Sequence, residues 1–211
     1  MELGAGLIVL AIGFCIVGIA RHRALEKDGF LDEDLCPLAR RALPPVLHKA
    51  RNEGGGRVTR SDEVDYTAAN ARTINSWVDH GWVWGTPIDH EEYVRALDGD
   101  WRIRLTPVKT VPRSWYFPDM RGKRVLGLAS GGGQQMPVFA AMGADCTVLD
   151  YAQRQLDGER AVAKREGYDI CLVHADMTKP LPFDDESFDL ICHPVSNCYV
   201  EHVLPVWLEC H

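Results

Sequence analysis

The sequence predicts an α/β fold, a parallel sheet with helices on both faces, from three observations in its second half. Short apolar runs at residues 124–129, 145–149, 170–174 and 188–192 have the near-continuous hydrophobicity of strands buried on both faces. Helical composition at 134–142 and 152–166 separates them, with Gly143 and Gly167 where C-terminal caps belong. A glycine-rich turn, Ala129-Ser130-Gly131-Gly132-Gly133-Gln134-Gln135, joins the first run to the first helical stretch. Strands alternating with helices in this way make βαβ units.

Each element carries a chemical expectation. In the glycine turn the missing Cβ atoms let a ligand lie against backbone, and the helix behind it offers unpaired N–H donors. The second strand ends in Asp150, where a carboxylate accepts both ribose hydroxyls of an adenosine or, alternatively, caps the following helix. The third strand ends in Ala175-Asp176-Met177, a second acid at the carboxyl edge, where ligands of open α/β sheets bind. His193, Ser196 and Asn197 follow the fourth strand; His193 reads as a candidate base, or as a histidine bonded to backbone at the strand end. A helix over 199–210 follows the fourth strand.

Upstream the chain changes character. Residues 3–20 lack any charge and are followed by Arg21, Arg23 and Lys27, so 1–22 reads as a transmembrane helix with a cytoplasmic catalytic domain behind it. Residues 23–63, with Pro37, Pro44, Pro45 and three consecutive glycines, read as a juxtamembrane helix and linker. Residues 64–120 form a lead-in rich in tryptophan, Trp77, Trp82, Trp84, Trp101 and Trp115, which packs on the sheet or closes over a ligand.

Composition narrows the partners. Lys and Arg number 23 against 30 Asp and Glu, a net charge of −7, the wrong sign for tracking phosphates, so nucleic acid is not expected. Seven cysteines without a C-x-x-C pair suggest reduced thiols and no metal site.

Taken together, the residues from about 123 to 211 resemble the class I S-adenosylmethionine (SAM) dependent methyltransferases, Rossmann-like proteins of methyltransferase type 11. Residues 125–133 look like that family's first motif, and Leu181-Pro182-Phe183-Asp184-Asp185-Glu186-Ser187-Phe188-Asp189 like its approach to the fourth strand. The resemblance implies SAM as cofactor, held by Ala129, Ser130, Gly131, Gly133, Asp150, Tyr151, Asp176, Met177 and His193, and methyl transfer to a small-molecule acceptor. In it Asp150 takes the ribose, Asp176 the adenine amino group, and Met177 lies beside the ring. The resemblance also implies the strand order third, second, first, fourth and further strands beyond the fourth, so the domain is expected to be incomplete, inactive by itself, with the fourth strand's outer edge exposed. Two positions depart from the family pattern: Gly127 where an acid is common, and Ala129 where glycine is common. The alternatives are a membrane-tethered SAM-binding module without turnover and an NAD-dependent oxidoreductase. The latter wants glycine at 136, where Met136 stands.

Overall fold

A computed structural model describes residues 14–16, 65–106 and 108–211, with 14–16 as backbone only. Strands β1 (Phe14–Ile16), β4 (Arg124–Leu128), β5 (Asp145–Asp150), β6 (Ile170–His174) and β7 (Leu190–His193) form one sheet in the order β1-β7-β4-β5-β6. A hairpin of β2 (Arg104–Thr106) and β3 (Lys109–Thr110) stands apart from it. The helices are α1 (Tyr66–Asp79), α2 (His90–Leu97), α3 (Met136–Ala141), α4 (Gln153–Glu166) and α5 (Val203–Glu209).

The four expected strands are present, parallel, and in the expected order. Their alternation divides the core in two. Val125, Val148, Leu190 and Cys192 face the side packed by α2, α3, α4 and the hairpin. Leu126, Leu128, Leu149, Val173 and Ile191 face the side that carries Phe183, Phe188 and α5. This is what a period of two produces when both faces are covered.

Four expectations are corrected. The outer edge of β7 is not open: β1 pairs with it antiparallel, with Cys15 opposite Cys192. The same strand breaks the predicted helix over 3–20, whose other residues lie outside the described ones, as do the helix and linker expected at 23–63. Among the described residues no helix is long and apolar enough to cross a membrane. Extended backbone at 14–16 fits the β-branched and aromatic residues there. The cysteines are not all reduced either: Cys171 is disulfide-bonded, while Cys146, Cys192, Cys198 and Cys210 form no disulfide. Finally, α5 begins at Val203 rather than near 199, after a 3-10 turn at Ser196–Tyr199. Pro205 has no N–H and its ring would clash with the carbonyl of residue 201, so a helix reaching back to 199 is blocked, whereas proline fits a first turn.

The lead-in is structured. Asp65 caps α1 by accepting the Ala68 N–H at 3.0 Å, and Asp89 caps α2 by accepting the Glu92 N–H at 2.7 Å. Helix α1 lies against α4 through two polar links: the Arg154 N–H donates to Asn75 Oδ1 at 2.9 Å, and the Arg154 guanidinium meets Asp79 at 2.8 Å. The chain between α1 and α2, residues 80–89, therefore runs across the carboxyl edge of the sheet, beside the glycine turn.

Candidate active site

At that edge lies a cavity of about 260 Å³. Its floor is the glycine turn, with Ala129, Ser130 and Gly131; its side walls are Asp150 and Tyr151 after β5, and Ala175, Asp176 and Met177 after β6. Its roof is one face of α1, from Thr67, Asn70, Ala71 and Ile74, together with Trp82 and Trp84.

Local sequence explains the floor. Strand β4 ends because Ala129 takes φ +47°, a left-handed conformation that glycine adopts more readily, and Gly131 follows at φ +99°. The departures from the family pattern thus have structural consequences. Ala129 keeps the glycine-like backbone at some strain. At Gly127 a side chain is excluded: an added Cβ would come within 2.4 Å of Ser130 Oγ and 2.8 Å of Met136 Sδ, so those two groups fill the space an acid would take. Ser130 Oγ and Gln155 Oε1 are buried at or beside the cavity with no hydrogen-bond partner among the described residues. Buried polar groups of this kind are expected to find partners in a ligand or water.

The two acids differ. Asp150 is 7% exposed, and its Oδ1 accepts the Ala152 N–H at 2.7 Å. Burial pushes its pKa up to about 7, against the lowering effect of the Ala152 and Tyr151 amides. The bond to Ala152 is a local turn and not a helix cap, since the capping position of α4 is Ala152 itself, without a side-chain bond. Asp176 is engaged on both oxygens: Oδ1 accepts the Thr178 N–H and Oγ1–H, each at 2.8 Å, and Oδ2 accepts the Thr67 hydroxyl at 2.8 Å. A helix in the lead-in is thereby tied to the acid after β6. The second tie is the Asn70 side-chain amide, which donates to the Tyr199 carbonyl at 3.0 Å.

Seven of the nine residues expected at the site line this cavity: Ala129, Ser130, Gly131, Asp150, Tyr151, Asp176 and Met177. Two do not. Gly133 lies behind the floor, where a Cβ would come within 2.8 Å of Val162 Cγ2 and 3.0 Å of Pro87 Cβ, at φ +86°. Its role is to let α4 and residue 87 approach the loop. Gly133→Ala is expected to destabilise the protein by about 2–3 kcal/mol, from strain and overpacking together, read as a lowered urea midpoint. An unchanged midpoint would contradict this packing role.

His193 is fully buried: its Nδ1–H donates to the Leu128 carbonyl at 2.6 Å, and Nε2 meets the Asn197 side-chain amide at 2.8 Å. Burial depresses its pKa. Tied to the neighbouring strand, it packs at the strand end and is not among the residues that line the cavity. Ser196 does line the cavity, its hydroxyl donating to the Ala129 carbonyl.

Residues that sequence reading missed come mostly from α1. Thr67, Asn70, Ala71 and Ile74 fall at helical spacing and share one face, a pattern visible in the chain but without meaning until the helix is placed over the sheet. Of the five tryptophans considered as a covering layer, Trp82 and Trp84 line the cavity, and Trp77 packs on Trp82 with ring centroids 5.2 Å apart. Trp101 instead sits edge-on to Tyr116 in the core.

Comparison with known proteins points the same way. Residues 126–211 match the family described as methyltransferase domain. The chain is 47% identical over 144 residues to an uncharacterized methyltransferase, YbaJ, of Bacillus subtilis (strain 168), a stretch covering 68% of this chain and 56% of that protein. It is 41% identical over 71 residues to a demethylmenaquinone methyltransferase of Clavibacter sepedonicus, covering 33% of this chain and 28% of that one. Among solved structures, a protein of Methanococcus maripaludis assigned to the SAM-dependent methyltransferases aligns with TM-score 0.44 and 14% identity over 72% of this chain and 61% of its own. The chain spans about half the length of the first of these curated relatives. Residues 126–211 of the chain belong to the methyltransferase domain family.

Proposed function

We propose that this protein transfers the methyl group of SAM to a small-molecule acceptor in the cavity beneath α1. The observation that carries the reading is the convergence of the glycine turn, Asp150 and the Asp176–Met177 pair on one cavity. These residues fit the cofactor. A buried carboxylate at Asp150 accepts hydroxyl hydrogens, Gly131 has no side chain to keep a ligand from the backbone, and Ser130 Oγ and Gln155 Oε1 are unpartnered. Bound SAM supplies a methyl group on a positively charged sulfur.

The protein's own contribution is placement and dryness. Trp82, Trp84, Ile74 and Val200 present apolar surface to an acceptor. The ionisable residues among those lining the cavity are Asp150, Tyr151, Asp176 and Tyr199. Burial raises the Tyr199 pKa, so its hydroxyl is a hydrogen-bond donor that orients an acceptor. With Asp176 occupied by Thr67 and Thr178, positioning is the main catalytic resource, as a displacement at an activated methyl group requires.

Titration calorimetry with S-adenosylhomocysteine (SAH), the demethylated product, and with NAD tests the cofactor. Binding of SAH and no heat from NAD are expected; the reverse order would remove the methyltransferase reading. SAM binding with no transfer of labelled methyl to any of a panel of small acceptors would favour the alternative of a binding module without turnover.

A further inference from the structure

The glutamines after the glycine loop are not explained by the cofactor. Gln135 donates to the Arg104 carbonyl at 2.7 Å and so fastens the β2–β3 hairpin. Gln134 spends its amide on one turn: Nε2 donates to the Trp84 carbonyl at 2.7 Å and the Thr86 carbonyl at 3.0 Å, with the Val83 carbonyl at 3.4 Å. An amide has two N–H groups, so the two shorter contacts are the bonds.

The turn it holds carries both cavity tryptophans. Trp82 and Trp84 flank exposed Val83, with ring centroids 6.4 Å apart and planes 28° from parallel. Between the end of α1 at Asp79 and the start of α2 at His90 no strand supports this segment. Its other tie to the loop is a single backbone bond, the Ile88 N–H donating to the Gly133 carbonyl at 2.8 Å.

We infer that Gln134 is a positioning residue: by donating to the turn at Val83–Gly85 it fastens the Trp82–Trp84 wall of the cavity to the cofactor loop. The inference rests on the reading of that loop as the SAM floor. Donation, and not shape, is what the geometry requires. Gln134→Glu keeps the size but has no hydrogen to give to carbonyls, whereas Gln134→Lys keeps a donor with three N–H groups on a flexible stem.

The test is acrylamide quenching of tryptophan fluorescence in the full-length protein, with the Trp84 contribution taken as the difference from Trp84→Phe, with and without SAH. Two lost hydrogen bonds free the turn, so Gln134→Glu is expected to raise the quenching constant of the Trp84 component by about twofold or more and to abolish its protection by SAH. Gln134→Lys is expected to stay near the native value. Equal quenching in Gln134→Glu and native protein overturns the inference, and so does equal perturbation by Glu and Lys, which would make the role one of shape. Unchanged quenching with SAH affinity lost in both variants also overturns it, by making Gln134 a direct cofactor contact. Failure of SAH to bind the native protein overturns the cofactor reading instead, and the quenching in ligand-free protein still decides the role of Gln134.

Discussion

Replacing Glu159 by glutamine is expected to stabilise the ligand-free protein at alkaline pH by several kcal/mol. Glu159 is fully buried on the face of α4 that meets the glycine loop, and neither carboxyl oxygen has a well-formed hydrogen bond. Burial pushes its pKa from 4.5 up to about 8; the Asp150 carboxyl adds to the rise and the nearby Gly133 N–H opposes it. Because the folded value lies above the unfolded one, the folded protein holds a proton there that the unfolded chain has released. The stability this supplies is fully present below the unfolded value and is lost as pH rises through the folded value. A shift of this size corresponds to roughly 5 kcal/mol at ~1.4 kcal/mol per unit, an upper bound given solvent penetration and relaxation. Glutamine never ionises, so the pH-dependent part disappears. Urea unfolding at about pH 6 and about pH 9 is expected to show a steep loss for the native protein and a much flatter one for Glu159→Gln, with Tm at the higher pH raised by about 10 °C. Parallel pH profiles for the two proteins would refute this account of the buried carboxyl.

Asp150→Ala is expected to weaken SAH binding by about a hundredfold, with little loss of stability near neutral pH. Hydrogen bonds to a charged acceptor contribute about 1.5–3 kcal/mol each, and losing those from two ribose hydroxyls outweighs the removal of one desolvated carboxyl. The carboxylate accepts hydroxyl hydrogens fully only when ionised, and burial holds its pKa near 7 in the ligand-free protein. SAH affinity is therefore expected to climb as pH rises from about 6 to about 8, by up to about tenfold, and Asp150→Asn is expected to abolish that climb. For ligand-free stability the sign is opposite: the raised pKa means stability falls as pH rises from the ordinary carboxylate range toward 7. Calorimetry across that range separates the two effects. Equal SAH affinity in Asp150→Ala and native protein would sink the ribose assignment.

Bounds of elements show where local chemistry suffices. Residues 170–174 were expected as a strand and are one, and Gly143 and Gly167 take positive φ at the ends of their helices, at +86° and +78°. Such features rest on interactions within a few residues: apolar runs, caps and the freedom of glycine. The floor of the site follows from the same source, whereas the sheet order came with the family resemblance, since strand pairing joins segments distant in sequence. The positions of Asp150 and Asp176 depend only on each standing at a parallel strand's carboxyl end, which brings successive strand ends to one edge.

Local sequence specifies the parallel strands, the glycine turn and the two acids at the strand ends. Tertiary structure alone decided what covers that site and which residues reach it. His193, next to the cavity in sequence order, is turned inward by Leu128 and Asn197, while Thr67, more than a hundred residues from Asp176, bonds to it. Gly133 proves to be a packing position because α4 and Pro87 crowd it, and β1 covers the edge of β7 from the far end of the chain. Each is a contact between segments distant in sequence. Their partners are selected by burial and close packing of the whole domain, and no periodicity within either segment encodes that selection.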